Sequence, residues 1–294
     1  MASPLRALAD WFAPPLAPEV TAALREVAQT NSAGFDPWGL HPETAERALR
    51  SARWLYERYF RVRTHGIERV PPAGRVMLVP NHSGQLPFDG LLVALAMVLE
   101  AKPPRFVRGM VERWFPSLPF ISTLFTRCGQ VVGDPENCRD LLLRDQTILV
   151  FPEGVRGTGK TYFHRYELQS FGTGFIRLAL ETRTPVVPIA VVGCEETYPS
   201  LYNIDWLARL LGVPYVPVTP FFPLLGPLGA VPLPVQVELC FGPARRWDLD
   251  PDAPDAEVQV LVDEVKAEIT RMTREVIARR PDLQLPGLLP GVPA

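Results

Sequence analysis

Lysine is nearly absent from this 294-residue chain. Lys102, Lys160 and Lys266 are the only ones among 30 basic residues, and the rest are arginine. That skew follows genome base composition and carries no mechanism by itself. Histidine and cysteine are scarce as well, with four of each. Cys128, Cys138, Cys194 and Cys240 show no C-x-x-C spacing. This argues against a zinc centre and a disulfide framework, and predicts reduced thiols as in a cytosol. No metal is expected. An excess of charge of either sign is missing: the formal net charge is −2 and the isoelectric point about 6.1, which leaves no electrostatic footprint for nucleic acid. Long apolar runs are missing too. No stretch of about twenty apolar residues could span a bilayer, and Leu91–Leu99 is far too short. The amino terminus, Met1-Ala-Ser-Pro-Leu-Arg-Ala-Leu, lacks the apolar core of a signal peptide.

What the chain does have is alternation of strand, turn and helix. Candidate strands are Val62–Gly66, Val76–Val79, Phe106–Val107, Gln130–Val132, Thr147–Phe151, Val186–Val191 and Val235–Phe241. Helical patterns near 89–100, 118–127, 136–144 and 171–182 fall between them, so an α/β fold is predicted, a mixed sheet flanked by helices. Residues 1–60 form an N-terminal portion: an irregular arm over 1–18, in which Trp11-Phe12 docks on protein or lipid, a short helix from Pro18 to about Gln29, and a longer helix from His41 to Arg63. Six arginines on the last segment give it a basic face, suited either to anionic lipid or to a solvated packing helix. Residues 61–294 form the main domain, closed by an amphipathic helix over Ala256–Arg279 whose apolar stripe is read as core packing. Leu210–Val237 is uncharged for 28 residues and broken by seven prolines. It reads either as a buried irregular segment or as a membrane-contacting or acyl-lining one.

The strongest chemical signal is Val79-Pro-Asn-His-Ser-Gly-Gln-Leu-Pro-Phe-Asp-Gly90, where an apolar strand delivers His82 and Asp89 to a loop. A carboxylate in reach of an imidazole fixes its tautomer and stabilises the imidazolium, which makes a general base. A loop histidine beside a helix-capping aspartate is the structural alternative. A second motif follows, Ile148-Leu-Val-Phe-Pro-Glu-Gly-Val-Arg156, and then Pro185-Val-Val-Pro-Ile-Ala-Val-Val-Gly193.

Together and in this order, the three motifs resemble the glycerolipid acyltransferase superfamily over roughly residues 60–245. Glu136-Asn-Cys-Arg-Asp-Leu-Leu142, Tyr166-Glu-Leu and Gly174-Phe-Ile-Arg-Leu-Ala179 point to its monoacylglycerol/diacylglycerol acyltransferase-like branch. The resemblance implies an αβ sandwich that moves a fatty acyl group from acyl-CoA or acyl-ACP to a lipid hydroxyl. His82 would be the base and Asp89 its partner; Glu153, Gly154 and Arg156 would position acceptor or donor. Neither metal nor cofactor is implied beyond the thioester co-substrate. The expected partners are the donor, a lipid acceptor and a membrane surface, and the expected location is cytoplasmic with peripheral attachment. A non-catalytic lipid-binding protein on the same fold is the alternative in another class. Two departures stand out. Six residues separate His82 from Asp89 where the family commonly has four. The stretch Gly129-Gln-Val-Val-Gly-Asp-Pro135 lacks the arginine of many phosphate-acceptor members, which argues for a neutral acceptor.

One string argues for different chemistry. Gly154-Val-Arg-Gly-Thr-Gly-Lys-Thr161 fits the phosphate-binding pattern G-x-x-x-x-G-K-[ST] and follows an apolar strand. It predicts a P-loop nucleotide hydrolase as the rival. Against it, Glu153 precedes the loop, no Mg²⁺-binding aspartate ends a later strand, and Tyr-Phe-His-Arg-Tyr follows in place of an amphipathic helix. Under the acyltransferase reading, Lys160 would meet the phosphates of the donor.

Overall fold

A computed structural model describes residues 11, 13–117, 120–211 and 215–280. Residues 1–10 and Phe12 of the expected N-terminal arm lie outside the described residues. Seven strands form one sheet: β1 (Arg63–His65), β2 (Val76–Pro80), β3 (Val107–Val111), β4 (Val131–Val132), β5 (Thr147–Leu149), β6 (Val186–Val192) and β9 (Glu238–Phe241), in the spatial order β1-β9-β6-β2-β5-β3-β4. Only the β6–β9 pairing is antiparallel. Strands β2 and β6 are buried along their whole length. That is what continuous Val/Leu/Ile/Met runs require, since a parallel sheet is covered on both faces.

The two-residue period of a strand divides these side chains between two apolar layers. Val76 and Leu78 of β2, with Val187, Ile189 and Val191 of β6, pack under α1 (Pro18–Ala28), α2 (Pro42–Trp54) and α3 (Phe88–Leu99). Met77, Val79, Val186, Ala190 and Val192 face the other way, against α5 (Pro135–Leu143), α6 (Gly174–Thr182) and α8 (Asp255–Arg279). The helix α4 (Ile121–Arg127) precedes β4, and α7 (Asp205–Leu211) lies beyond β6 beside a small hairpin, β7 (Tyr202–Asn203) with β8 (Pro217–Val218). The sequence pattern predicts neither the hairpin nor α7.

The N-terminal helices share the first apolar layer through Val20, Leu24, Leu40, Leu49, Tyr56 and Phe60. Arg108, fully buried on β3, pairs with the buried carboxylate of Asp36 and donates to Gln146 Oε1 at 2.8 Å, which clamps the turn before α2 onto the sheet. The predicted helix over 41–63 ends earlier: α2 gives way to one π-type turn, Leu55–Tyr59, and Arg61 turns left-handed at φ 45°. Several arginines of its basic face are engaged inside the chain. Arg50 donates to Ala13 O at 2.8 Å, Arg53 to Pro15 O at 3.0 Å and Arg61 to Pro234 O at 2.7 Å. Among the described residues, no helix is long and apolar enough to cross a membrane.

Candidate active site

Three loops leave the carboxyl ends of three adjacent parallel strands, β5, β2 and β6, and meet there. In open α/β sheets this end of the strands is where ligands bind. The β2 loop carries His82 and the β5 loop carries Glu153 to Arg156. The β6 loop carries Gly193 to Ser200. Asn81 joins two of them: its side chain donates to Val191 O at 3.1 Å and accepts from Val191 N at 2.7 Å, continuing the β2–β6 ladder where the strand backbone turns away.

His82 Nδ1 lies 2.6 Å from Asp89 Oδ2. The wide spacing is absorbed before the helix: Gly84, at φ 89°, folds the loop back, and α3 begins at Phe88, so Asp89 sits in its first turn. Only glycine takes such a turn without strain. The Asp89 carboxylate is fully buried and accepts further from Ser83 N at 2.8 Å and Gly90 N at 2.7 Å, which locks its orientation. An ionised carboxylate can only accept, so Nδ1 carries the proton and the lone pair falls on Nε2. Nε2 has no hydrogen-bond partner among the described residues. The ring stacks on Phe151, 4.0 Å between centroids at 22°.

Glu153 has another task than the one expected of it. It is 1% exposed; Oε1 accepts from His82 N at 2.8 Å and Oε2 from Gln169 N at 2.7 Å. Both carboxylate oxygens are engaged by the chain itself, fastening the histidine loop to the segment before α6. Gly154, at φ 56° and ψ −153°, turns the chain out of this contact into a single helical turn, Val155–Thr158. Gly157 in that turn leaves no space for a side chain: a Cβ would stand 2.6 Å from His82 Cβ and 2.8 Å from Glu153 Cβ. Arg156 is exposed, with one long contact to Ser170 O at 3.4 Å. Asn81, Phe151, Gly157 and Gln169 were not among the site residues expected from the sequence. Of these, Asn81 and Phe151 stand inside the motifs themselves, which is the signal that marks them.

Lys160 is not open to a donor phosphate. Its ammonium lies 2.9 Å from Glu195 Oε1 and donates to Glu167 O at 3.2 Å, and both side chains of the ion pair are buried. The phosphate-loop rival fails on geometry as well. A phosphate cradle needs the amino terminus of a helix directly after the glycine loop, whereas here one turn is followed by a 3₁₀ turn, Tyr162–His164, and the next α-helix starts at Gly174. Lys160→Ala should therefore leave acyl transfer measurable, and neither form should hydrolyse ATP with magnesium. The variant should lose about 1–3 kcal/mol of stability, because Glu195, already pushed up by burial, takes a proton in place of its lost partner. Urea unfolding and a phosphate-release assay check both parts.

Beside this pair, Glu196 Oε2 accepts from Tyr166 Oη at 2.6 Å, and that oxygen accepts from Gly193 N at 3.0 Å. Burial pushes the Glu196 carboxyl from 4.5 up to about 7. A folded-state value above the unfolded one means stability that is present below pH 4.5 and lost as pH rises to about 7. A tenfold change in proton affinity is worth about 1.4 kcal/mol. Glu196→Gln should thus gain about 1–3 kcal/mol over the wild type at pH 8 and little at pH 5, read from Tm at the two pH values. The cysteines supply no thiolate: burial pushes Cys194, against the β2 loop, well above its usual value, and Cys128 and Cys240 to about 11.

Comparison with known proteins agrees with this architecture. The acyltransferase family model matches residues 61–192. An uncharacterized protein of Mycobacterium leprae is 40% identical over 82% of this chain and 65% of its own length. One of Mycobacterium bovis is 36% identical over 85% of this chain and 72% of its own. The mouse (Mus musculus) 1-acyl-sn-glycerol-3-phosphate acyltransferase alpha is 28% identical over 51% of each chain. The chain thus spans about two thirds of the length of the mycobacterial relatives and half of the mouse one. The crystal structure of the 1-acyl-sn-glycerophosphate (LPA) acyltransferase PlsC from Thermotoga maritima superposes with a TM-score of 0.51 at 18% identity, over 89% of this chain and 82% of that one; this likeness shows the fold. With that sheet, these motifs and these relatives, the chain belongs to the acyltransferase family.

Proposed function

We propose that this protein transfers a fatty acyl group from an acyl thioester, acyl-CoA or acyl-ACP, to a hydroxyl of a lipid alcohol, with His82 as general base. The observation that carries this reading is the 2.6 Å contact of Nδ1 with a buried carboxylate, which leaves Nε2 unpartnered among the described residues. Nε2 takes the acceptor hydroxyl's proton as its oxygen attacks the thioester carbonyl. The tetrahedral intermediate collapses, the C–S bond breaks, and the leaving thiolate takes the proton back from the imidazolium. Asp89 stabilises the imidazolium between these steps. The amides of His82, Ser83 and Gly154 are bonded within the protein, so the oxyanion must find other donors. Arg156, the exposed cation of the β5 loop, would meet it or the phosphates of the donor. The enzyme works at a membrane on the cytoplasmic side, where such acceptors reside.

A neutral glycerolipid acceptor fits better than a phosphate-bearing one. Arg139 is bound by both Nε and Nη2 to Glu181, Arg127 lies over the Phe35 ring, and Lys160 is held by Glu195. None replaces the arginine missing between Gly129 and Pro135. One charge-assisted hydrogen bond is worth about 1.5–3 kcal/mol, or about one to two powers of ten in affinity. With one donor, kcat/KM should therefore favour diacylglycerol over lysophosphatidate by about ten- to a hundredfold. Mass spectrometry of lipids formed from an acceptor panel tests the reaction itself, and acceptors recovered unchanged with both donors would refute it.

A further inference from the structure

Beyond β6, residues 201–231 carry nine of the seventeen large apolar side chains that stand exposed among the described residues. Trp206 and Leu210, four residues apart and so on one face of α7, are 67% and 74% exposed. Leu224 and Leu228, around the 3₁₀ turn Gly226–Ala230, are 83% and 73% exposed, and Leu225 lies between them. No charged residue occurs from Leu210 to Val237. The seven prolines of that stretch bar it from continuing as a helix that could tuck its apolar face inward.

Hydrogen bonds fasten this segment to the loops of the candidate active site. Tyr215 Oη donates to Gln85 O at 2.6 Å, and Asn203 Nδ2 to Gly159 O at 2.6 Å. Next to its first residue, Ser200 O accepts from Tyr162 N at 2.7 Å. Leu86, between His82 and Asp89, and Phe163, next to Tyr162, are themselves about half exposed.

We infer that residues 201–211 and 215–231 are the face by which this protein lies on a bilayer, and that the lipid it meets is zwitterionic or neutral. Trp and Tyr beside Leu is the composition of a membrane interface, and exposed apolar side chains gathered in one segment mark such a site. The absence of charge from Leu210 onward selects a surface that offers no net charge in return. Docking this face sets the loop of His82 against the layer that holds the acceptor. The inference rests on the lipid-acceptor reading above.

Flotation of the full chain with phosphatidylcholine vesicles tests it, using Leu224→Asp/Leu228→Asp and the milder Leu224→Ser/Leu228→Ser. The aspartate pair should lower the vesicle partition coefficient at least tenfold and the serine pair severalfold. Turnover with a short-chain, water-soluble donor and acceptor should stay unchanged, while turnover on vesicle-embedded acceptor falls with binding. A wild type that does not float, variants that float equally, or binding seen only with anionic vesicles would overturn the inference. So would a dimer in light scattering that the variants dissociate, since a second copy would then be the occupant. If no form transfers acyl groups to any acceptor while the flotation result holds, the enzymatic reading fails and the docking face stands.

Discussion

Replacing His82 by alanine is expected to lower acyl transfer by about 10²- to 10⁴-fold, the range that general-base catalysis commonly supplies, with little change in fold. The ring is anchored by one hydrogen bond to Asp89 and by stacking on Phe151, and it stands in the loop after β2 rather than in either apolar layer. Asp89→Asn should cost less in rate but remain severe. The amide keeps the shape, yet it offers Nδ1 no carboxylate, and it must still satisfy the Ser83 and Gly90 amides that the carboxylate accepts. A second difference separates the two variants: because Asp89 acts on the imidazole and not on substrate, Asp89→Asn should lower kcat with KM nearly unchanged. Steady-state kinetics with circular dichroism of both proteins decide the matter. Full activity in His82→Ala would refute the mechanism.

The second large effect is expected at Glu153. Its two oxygens accept from two backbone amides that come from different segments, His82 and the stretch before α6. Hydrogen bonds to a charged group contribute about 1.5–3 kcal/mol each, and Glu153→Ala leaves both amides without an acceptor beside a side chain that is 1% exposed. A loss of about 3–6 kcal/mol follows, together with loss of activity, because the backbone of the base is no longer held. Glu153→Gln keeps one carbonyl oxygen, so it should retain one of the two contacts, about half of the stability and measurable turnover. Urea unfolding of the three proteins, with turnover measured well below each midpoint, separates the fold effect from the positioning effect. If Glu153 instead bound substrate, Glu153→Gln would raise KM without moving the unfolding midpoint.

Much of the molecule was legible because the physics that shapes it is local. The buried strands announce themselves as unbroken runs, Val76–Val79 and Val186–Val191, since a strand covered on both faces has no polar side to show. The helix α3 begins at Phe88 and α8 at Asp255, each within a residue of where apolar spacing places it. Boundaries slipped where a neighbour decides them. The last strand begins at Glu238, three residues after the expected Val235, because Val235–Val237 are taken up by bonds to Leu233 and Phe60. Likewise β3 runs on to Val111, past the expected Val107, as β5 and β4 flank it.

The site divides in the same way. Residue types and order in the motifs by themselves determined that an imidazole, a carboxylate and the Phe-Pro-Glu-Gly-x-Arg turn would serve one chemistry, and they marked the family. What each side chain does was decided only by the tertiary structure. A glutamate and an arginine in one short motif read as equal candidates for substrate contact, yet Glu153 is sealed under the His82 amide while Arg156 faces outward. Lys160 reads as a phosphate ligand until Glu195, brought from the end of β6, occupies it. The six-residue interval between His82 and Asp89 leaves the pair undetermined along the chain, and the left-handed turn at Gly84 closes it to 2.6 Å. The physical reason is common to all three. Propensity and pattern act over a few residues, whereas the partner that fixes a buried charge is set by how the chain folds back on itself, in two of these cases from another strand of the sheet.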